Sequence, residues 1–337
     1  METTRAVVLT NVIIAVSSLF IVVLFLVGSV SGGGSLFFNF YGNSCPGVEF
    51  VVRNAVTSSS SSDASIPGKL LRLLFHDCFV EVSELGCDAS LMLRGNNTEL
   101  SDPANRSIGG LSVIDLAKRD LEMLCPQTVS CADIIALAAR DAVAITGGPM
   151  IPIPTGRRDG VVSVVSNVRP NIVDTSFTMD QMINLFSTKG LSLIDLLVLS
   201  GAHTIGAAHC SSIRSRFQET SNGKFTLIDK TLDSNYANDL IQQCPTGVSP
   251  SVTVNNDPET SLVFDNQYYR NLMNNKGLFP SDSALLIDGR TRKLVEDLAN
   301  DQQLFFESWG QSFLKLTSIG VKTGDEGQIR RFCGATN

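Results

Sequence analysis

Two segments of this chain place a histidine among residues that could take part in chemistry. In the first, LLRLLFHDCF at 70–79, a helix would put Arg72 one turn before His76, with Phe75 beside them. A permanent cation, a titratable imidazole and a flat apolar ring would then share one face. Taken alone, such a histidine is more often a structural residue of its helix.

The second segment is LSGAHTIGAAHC at 199–210, in which His203 follows a glycine that should end a helix. The residues around His203 are small, so something large and flat could approach its ring. His209 lies later in the same segment, beside a cysteine. That position is typical of a structural or exposed histidine, and we assign His209 no role.

The elements that must position these residues are helices. Apolar residues recur at helical spacing, Ser192 with Asp195 begins one helix, and the glycine pair at 147–148 ends another. Signals for strands are few, and the Pro- and Gly-rich stretches 147–160 and 245–258 predict long surface loops. The predicted helices cover residues 70–79, 113–124, 132–145, 192–201, 294–298 and 305–316.

Composition limits the class of protein. The 337 residues are 43% hydrophobic, which is enough for a large core, and they contain no internal repeat or low-complexity linker. The formal net charge of -7 leaves no general basic surface for nucleic-acid phosphates. We therefore expect one domain built of two helical lobes, with no nucleic-acid partner.

The N-terminal segment is typical of a secretory signal peptide. Residues 11–28 are apolar or small and polar, and further small residues follow them. Cleavage is expected between Ser29 and Ser35, so we assign residues 1–34 to the signal peptide and 35–337 to the domain. The alternative is a membrane anchor, because the apolar stretch approaches the length of about 20 residues that spans a bilayer.

Secretion also accounts for the cysteines. An even count of eight in an oxidising compartment predicts four disulfides rather than catalytic thiols, although the count alone does not give their pairing. Two Asn-x-Ser/Thr sequons, headed by Asn96 and Asn105, are candidate glycosylation sites on the same route.

Five further motifs occur in a fixed order with the two histidine segments. They are VSCADIIALAARDAV at 129–143, GRRDG at 156–160, VFDNQYY at 263–269, KGLFPSD at 276–282 and GQIRRFC at 327–333. Together with the eight cysteines, this set resembles the secretory plant-type, or class III, haem peroxidases, from about Phe40 to the C-terminus. The resemblance implies an all-α, two-lobed fold with haem b between a distal and a proximal lobe.

The resemblance also implies a role for each residue around the haem. His203 would be the proximal iron ligand, with Asp282 accepting its other ring proton, which makes the imidazole more basic and fixes its orientation. On the opposite haem face, His76 would act as general base and acid. Arg72 would stabilise the charge that develops as the oxygen–oxygen bond breaks, and Phe75 would shield the iron.

The implied activity is reduction of hydrogen peroxide coupled to one-electron oxidation of small phenolic or other aromatic reductants. Val173, in the region where reductants approach, stands where many members have proline, so reductant preference is expected to differ. The implied protein is a secreted monomer of the extracellular space or cell wall, without stable membrane association. The alternative is a non-catalytic secreted relative that binds haem and calcium. A zinc hydrolase is disfavoured because the histidines form no HExxH-like cluster.

Two calcium ions are implied as well, and calcium prefers the carboxylate, hydroxyl and carbonyl oxygens that these residues offer. Because Asp77 follows His76 and Thr204 follows His203, each ion would brace a residue next to a catalytic histidine. The distal ligands would be Asp77, Asp88 and Ser90 by side chain, with backbone oxygens of Asp77, Val80 and Gly86. The proximal ligands would be Thr204, Asp257, Thr260 and Asp265, with the carbonyl oxygen of Val263.

The same resemblance implies the cross-links of the fold. A buried pair of Asp133 with Arg157 is expected to tie the helix at 131–145 to the loop at 156–160. The implied disulfides are Cys45 with Cys125, Cys78 with Cys87, Cys131 with Cys333, and Cys210 with Cys244.

One departure from the family concerns the partner of the distal histidine. The family orients this histidine with an asparagine after a proline, but here Pro103 is followed by Ala104. Asn105 could substitute through a shift of one residue. It also heads a sequon, and a glycosylated side chain could not be buried beside His76. The two roles of Asn105 exclude each other, and without its hydrogen bond His76 would be a weaker base.

A second departure is the segment 81–85, which stands where the family has a single residue between the calcium ligands Val80 and Gly86. Enlarging the disulfide ring from six to ten residues costs only about 0.5 kcal/mol of loop-closure entropy, so the disulfide should survive. Geometry is the stronger constraint, because both carbonyl oxygens must still reach one ion.

We therefore predict that deleting residues 82–85 raises the affinity of the distal site for calcium and raises the melting temperature. The physical reason is that a displaced Asp77 would pull directly on His76. Calcium titration and calorimetry of the deletion variant and the parent protein provide the measurement. Equal affinities and equal melting temperatures would show that the longer loop is accommodated without cost.

Overall fold

Residues 35–80 and 86–337 are described by the computed structural model, so the predicted signal peptide and the inserted segment 81–85 lie outside the described residues. Contacts group Leu36–Asn337 into one unit. Helices make up most of the regular structure of that unit, and its few strands are short. The all-α class implied by the resemblance is confirmed.

Twelve α-helices and four strands are present in the described ranges. The helices are α1 Val48–Ser62, α2 Ile66–Phe79, α3 Leu111–Leu124, α4 Cys131–Ile145, α5 Val168–Asn171, α6 Met179–Thr188, α7 Leu193–Ser200, α8 Ser234–Gln243, α9 Gln267–Met273, α10 Pro280–Ile287, α11 Arg292–Asn300 and α12 Gln302–Leu316. The strands are β1 Ala207–His209, β2 Phe217–Glu219, β3 Phe225–Leu227 and β4 Thr253–Asn255. β1 pairs antiparallel with β4, and β2 pairs antiparallel with β3.

Helix α4 lies within the larger core. Its residues are buried along nearly the whole helix, and a helix that is apolar around most of its circumference is stable only when protein surrounds it. Ser130 caps α4 by accepting a hydrogen bond from the backbone N–H of Asp133 at 3.1 Å. Helices α1, α2 and α3 pack against α4, so α2 and its histidine are held against the core.

The expected pair of Asp133 and Arg157 is present and ties α4 to the loop that follows it. Arg157 Nη1 lies 2.7 Å from Asp133 Oδ1, and neither side chain is exposed. The guanidinium also donates two hydrogen bonds, at 2.9 and 2.6 Å, to the carbonyl oxygen of Thr317 just after α12. Removing either partner would leave an unpaired buried charge, which is strongly destabilising.

This pairing corrects the prediction that 147–160 is a surface loop. Arg157 and Asp159 are fully buried. Asp159 accepts hydrogen bonds from the backbone N–H groups of Ala132 and Arg330, each at 2.9 Å. The end of the loop can enter the interior because α4 and the C-terminal segment satisfy its polar groups.

A second, smaller core surrounds the sheet of β1 and β4. Ala208 in β1 pairs with Val254 in β4, and both are buried. The prediction that 245–258 is a surface loop is therefore wrong in its second half, which contains β4 and the fully buried Asp257. The short strand was missed because three residues carry too little periodicity to be recognised.

Four disulfides cross-link the described residues, and none of the described cysteines is free. They join the pairs that the resemblance implies: Cys45 with Cys125, Cys78 with Cys87, Cys131 with Cys333, and Cys210 with Cys244. The longest of these links joins residues 202 positions apart, from the start of α4 to the C-terminal segment. Closing so long a loop restricts the unfolded chain strongly.

No single helix in the described part of the chain is long and apolar enough to cross a membrane. Met179–Thr188 and Leu193–Thr204 pass that test only as a pair, across a bend of 107°. The apolar stretch 11–28 lies outside the described residues.

Helix α2, which carries His76, contacts the segment 203–206, which begins with His203, through two glycines. We call these the distal helix and the proximal segment. A Cβ added at Gly68 in α2 would lie 2.5 Å from the Cα of Gly206, which follows His203 closely in the chain. Gly206 itself has a φ of +89°, a conformation that favours glycine. Backbone therefore packs on backbone here, and this contact sets how closely the segments that carry His76 and His203 approach each other.

We predict that Gly68→Ala lowers the melting temperature by about 5 °C and weakens retention of the haem that the resemblance implies, because the new methyl group must push two backbone segments apart. Gly289→Ala is the matched control, since a Cβ there meets nothing within 4 Å. Differential scanning calorimetry of both variants provides the measurement. Equal melting temperatures in the two variants would contradict the role given to the glycine contact.

Candidate active site

A cavity of about 1140 Å³ lies between α2 and the segment that follows α7. Its wall contains His76 and His203, together with residues of the 172–177 segment and of α12. The structure therefore brings together the two histidines that the sequence singles out, although they are far apart in the chain.

The helical spacing of α2 presents Arg72, Phe75 and His76 to this cavity, as the sequence predicts. Arg72 Nε lies 3.3 Å from His76 Nε2. The other guanidinium nitrogens donate to Ser107 Oγ at 2.8 Å and to the carbonyl oxygen of Ala104 at 3.0 Å. These contacts fix the cation beside one ring nitrogen of His76.

Asn105 takes the orienting role, although Ala104 stands in the position after the proline. Asn105 Oδ1 lies 2.7 Å from His76 Nδ1, and Asn105 Nδ2 donates to the carbonyl oxygen of Glu99 at 2.9 Å. Because the amide nitrogen is committed to Glu99, its oxygen must accept, and the neutral ring carries its proton on Nδ1. Nε2 therefore carries the lone pair that a general base requires, and in this structure that lone pair accepts the N–H of Arg72 Nε.

The burial of Asn105 argues against the glycosylation predicted there. Its side chain is 2% exposed and its nitrogen is engaged with Glu99. Asn96, by contrast, is exposed in a turn. Of the two predicted glycan sites, only Asn96 is accessible in the folded protein.

Burial, followed by the neighbouring charge of Arg72, lowers the pKa of His76 from 6.5 to about 3. The hydrogen bond with Asn105 acts in the opposite direction. Since the pKa in the folded protein lies below the ordinary value, the ring is neutral at neutral pH and takes up a proton only as pH falls towards 3. The unfolded chain binds this proton more tightly, so His76 also costs the folded protein stability as pH falls below its ordinary pKa.

Phe75 forms part of the cavity wall next to His76. The two rings meet edge to face with centroids 5.7 Å apart, and Phe75 also contacts Phe79 at 4.3 Å between centroids. A large ring fixed in this way narrows the approach to the imidazole.

His203 lies on the short 3-10 helix Gly201–Thr204 that follows α7. The position of Gly201 requires glycine for reasons of space, because a Cβ there would lie 2.5 Å from Tyr269 Oη and 2.7 Å from the Phe305 ring. Its φ of -58° would suit any residue. Close packing against α9 and α12 therefore determines where the turn presents His203.

Asp282, in the first turn of α10, holds one ring nitrogen of His203. Its Oδ1 lies 3.0 Å from His203 Nδ1 and accepts a hydrogen bond from Tyr268 Oη at 2.8 Å, while Oδ2 accepts the N–H of Phe279 at 2.9 Å. Burial opposes a charge at this position, but His203 and these donors lower the pKa of Asp282. An anion fixed at Nδ1 leaves Nε2 of His203 as the nitrogen available to a metal.

Three buried polar atoms in the cavity wall have no hydrogen-bond partner among the described residues: His209 Nδ1, Asn256 Oδ1 and Trp309 Nε1. Buried polar atoms are ordinarily paired, so these atoms indicate a ligand with polar groups. With an imidazole on each side, the cavity fits a large flat group such as haem b, which His203 would hold. His209, for which the sequence predicts no role, also belongs to this wall, and its only sequence signal is its nearness to His203.

Three predicted ligands of the distal calcium, Asp77, Asp88 and Ser90, are buried. Burial and the charge of Asp88 raise the pKa of Asp77, as expected where two carboxylates lack enough positive charge. Lys322 supplies one cation, with its Nζ 3.4 Å from Asp88 Oδ2. The oxygen of Ser90 has no partner among the described residues. Two carboxylates and a free hydroxyl fit a hard cation such as calcium.

The predicted proximal calcium ligands converge through hydrogen bonds. Thr204 Oγ1 donates to Asp265 Oδ1 at 3.0 Å and lies 3.4 Å from the carbonyl oxygen of Val263. Thr260 Oγ1 lies 3.1 Å from Asp257 Oδ2 and 3.2 Å from Asp265 Oδ1. This set of five oxygen donors also suits calcium, and its first member adjoins His203.

No group of three or more His, Cys, Asp and Glu side chains is arranged to hold a metal in the described ranges. Both predicted calcium sets would therefore depend on hydroxyl and carbonyl oxygens in addition to their carboxylates. In the distal set, Val80 and Gly86 are buried and border the segment 81–85 that lies outside the described residues.

Val173 lies in the cavity wall and packs partly buried against the larger core. The residues that follow it, through Phe177, line the same cavity. The predicted reductant-access position therefore borders the space that contains both histidines.

Comparison with known proteins assigns this arrangement to a family. A family model described as Peroxidase matches residues 51–301, more than half of the chain. The chain belongs to the peroxidase family. Peroxidase 46 of Arabidopsis thaliana is 59% identical over 95% of this chain and 97% of its own length. Peroxidase 18 of the same plant is 61% identical over 91% and 92%, and Peroxidase 66 is 42% identical over 87% and 89%.

The family predicted from the ordered motifs is thereby confirmed. In this peroxidase, the histidine-bearing segments and the five further motifs are spread across the chain, and the relatives match nearly all of it. The likeness is thus not confined to a single motif.

We predict that Asn105→Ala slows the reaction of this peroxidase with hydrogen peroxide by about tenfold or more while haem is retained. Without the hydrogen bond to Asn105 Oδ1, His76 is less basic. Its proton is then no longer held on Nδ1, and the orientation of its ring is no longer fixed. Stopped-flow absorption measures the rate. Asn96→Gln, in an exposed turn, is the control and should react at the parent rate. A parent rate in Asn105→Ala, or a glycan found on Asn105 by mass spectrometry, would contradict this assignment.

Proposed function

We propose that this peroxidase is a secreted haem enzyme that reduces hydrogen peroxide and oxidises small phenolic reductants one electron at a time. The observation that carries the proposal is one cavity with Arg72, His76 and Asn105 on one side and the His203–Asp282 pair on the other. One hydrogen peroxide and two phenols would give two waters and two phenoxyl radicals. Arg72, His76 and Asn105 are all present and in contact, which argues against the alternative of a non-catalytic relative.

Haem b, held by Nε2 of His203, would supply the redox chemistry. The contribution of the protein on this side is electrostatic. Asp282 accepts a hydrogen bond from the Nδ1–H of His203. This hydrogen bond makes the imidazole electron-rich and fixes the plane of its ring. Tyr268 and the Phe279 N–H hold the carboxylate in position, so Asp282 does not depend on His203 alone for its orientation.

On the other side, His76 moves the protons. Its neutral Nε2 accepts a proton from one oxygen of hydrogen peroxide and returns that proton to the oxygen that departs, which then leaves as water. Arg72, whose Nε lies 3.3 Å from Nε2, stabilises the negative charge that grows on the departing oxygen. Asn105 keeps Nε2 aimed at the cavity, and Phe75 excludes bulky molecules.

Two calcium ions form part of the proposal. The distal ion would hold the residue after His76 and the proximal ion the residue after His203, so each histidine would be anchored through its neighbour in the chain. The unpartnered Ser90 oxygen and the converging oxygens of Thr204, Thr260 and Asp265 support the two sites. The proximal carboxylates, like the distal pair, would then be neutralised by an ion.

The proposed location is extracellular, in the cell wall or the space around it, and the proposed form is a monomer. Four disulfides support an oxidising compartment, because such bonds persist outside the reducing cytosol. The apolar segment 11–28 would direct secretion and be removed.

We predict that His203→Ala and His76→Ala fail in different ways. His203→Ala should lose tight haem binding, whereas His76→Ala should keep haem and react with hydrogen peroxide at least about a hundredfold more slowly. The haem absorption band measures the first effect, and stopped-flow kinetics of the haem-loaded protein measures the second. Full haem content in His203→Ala would overturn the ligand assignment, and a parent reaction rate in His76→Ala would overturn the proton-transfer role.

A further inference from the structure

The segment after Val173 places a carboxylate in the cavity wall. Asp174 is exposed, and it lines the same cavity as His76 and His203. The segment is held in place, because the carbonyl oxygen of Thr175 accepts the N–H of Ser281 at 3.0 Å. Ser281 lies in α10 directly before Asp282, so the position of Asp174 is tied to the proximal side of the site.

The positively charged side chains in the cavity wall all have ion-pair or hydrogen-bond partners within the protein. Lys69 Nζ lies 2.7 Å from Asp63, and Arg169 Nε lies 3.0 Å from Asp102. Arg72 donates to Ser107 and to the carbonyl oxygen of Ala104. The cations of the wall therefore have partners within the protein.

The two carboxylates of the wall, Asp174 and Asp282, differ in how many of their oxygens accept hydrogen bonds from the protein. Asp282 is buried and receives its hydrogen bonds from His203, Tyr268 and the N–H of Phe279. Asp174 receives two hydrogen bonds, from the N–H and the Oγ of Ser176 at 2.9 and 2.7 Å, and both go to Oδ1. Among the described residues no hydrogen bond is made to its Oδ2, so this oxygen can accept one from a molecule in the cavity.

The neighbours of Asp174 give the segment a mixed surface. Val173 and Phe177 are partly buried apolar residues on either side of it, and both line the cavity. Hydrogen bonds from Ser176, and then the charge of Arg169, lower the pKa of Asp174, so the group is an anion at neutral pH. An apolar surface beside a fixed anion matches an aromatic ring that carries a cationic substituent.

We propose that Asp174 makes this peroxidase prefer phenolic reductants with a positive charge over phenolic reductants with a carboxylate. The inference rests on the proposed function, since it assigns a substrate class to the same cavity. It also concerns the segment of the departure at Val173, because Asp174 follows that residue and adds a negative charge to this part of the wall.

The test uses two phenols that share a ring and differ in charge. Tyramine carries a protonated amine at neutral pH, and hydroxyphenylpropionate carries a carboxylate. The kcat/KM of the haem- and calcium-loaded protein is measured for both at saturating hydrogen peroxide, and the ratio of the two values is the readout. General damage to the catalytic groups lowers both values together and leaves this ratio unchanged.

Asp174→Asn removes the charge and keeps an oxygen for Ser176, and it should lower the tyramine preference by about threefold at low ionic strength. Asp180→Asn is the matched control: its side chain is 76% exposed and pairs with Arg290, and it lies outside the cavity wall. This control removes the same net charge and should leave the ratio unchanged. Added salt should reduce the preference of the parent protein, because it screens an exposed charge.

An unchanged ratio in Asp174→Asn, or an equal change in Asp180→Asn, would overturn the inference while leaving the proposed function intact. If the haem-loaded parent protein oxidises neither phenol, the proposed function itself is wrong, and the inference falls with it.

Discussion

The site depends on one contact between two backbones. Gly68 in the distal helix lies against Gly206 in the proximal segment, with no side chain between them. Because α2 packs on α4, this contact sets the separation of the two walls that carry His76 and His203. A larger residue at either position would change the width of the cavity, and every distance across the site would change with it.

Given that separation, the two histidines acquire different roles from their partners. His76 faces a neutral amide and a cation, so it is held as an uncharged base with its proton on Nδ1. His203 faces a buried carboxylate that is fixed by two further donors, which makes its ring electron-rich. In the proposed function, one residue type would thus serve proton transfer on one side and metal ligation on the other, because burial and the sign of the nearest charge differ.

The same dependence on surroundings runs through the rest of the wall. Asp282 and Asp174 both line the cavity. Both oxygens of Asp282 accept hydrogen bonds from the protein, whereas Oδ2 of Asp174 accepts none from the described residues. Arg157 and Asp159 are charged but have a structural role. They can be buried because the carbonyl oxygen of Thr317 accepts from Arg157, and the N–H of Ala132 at the start of α4 donates to Asp159. Residue type alone does not separate a carboxylate held by internal hydrogen bonds from one with an oxygen that can still accept a hydrogen bond.

The sequence by itself determined the family, the helical class and the histidine segments, because helical periodicity and ordered motifs are local properties of the chain. It also fixed that Arg72, Phe75 and His76 share a helix face, since their spacing allows no other arrangement on a helix. Only the tertiary structure decided between a glycan and a hydrogen bond at Asn105, placed His209 in the cavity wall, and buried the ends of the loops 147–160 and 245–258. Each of these depends on which distant segment lies against the residue, such as α2 with His76 beside Asn105, and no local pattern of residues carries that information.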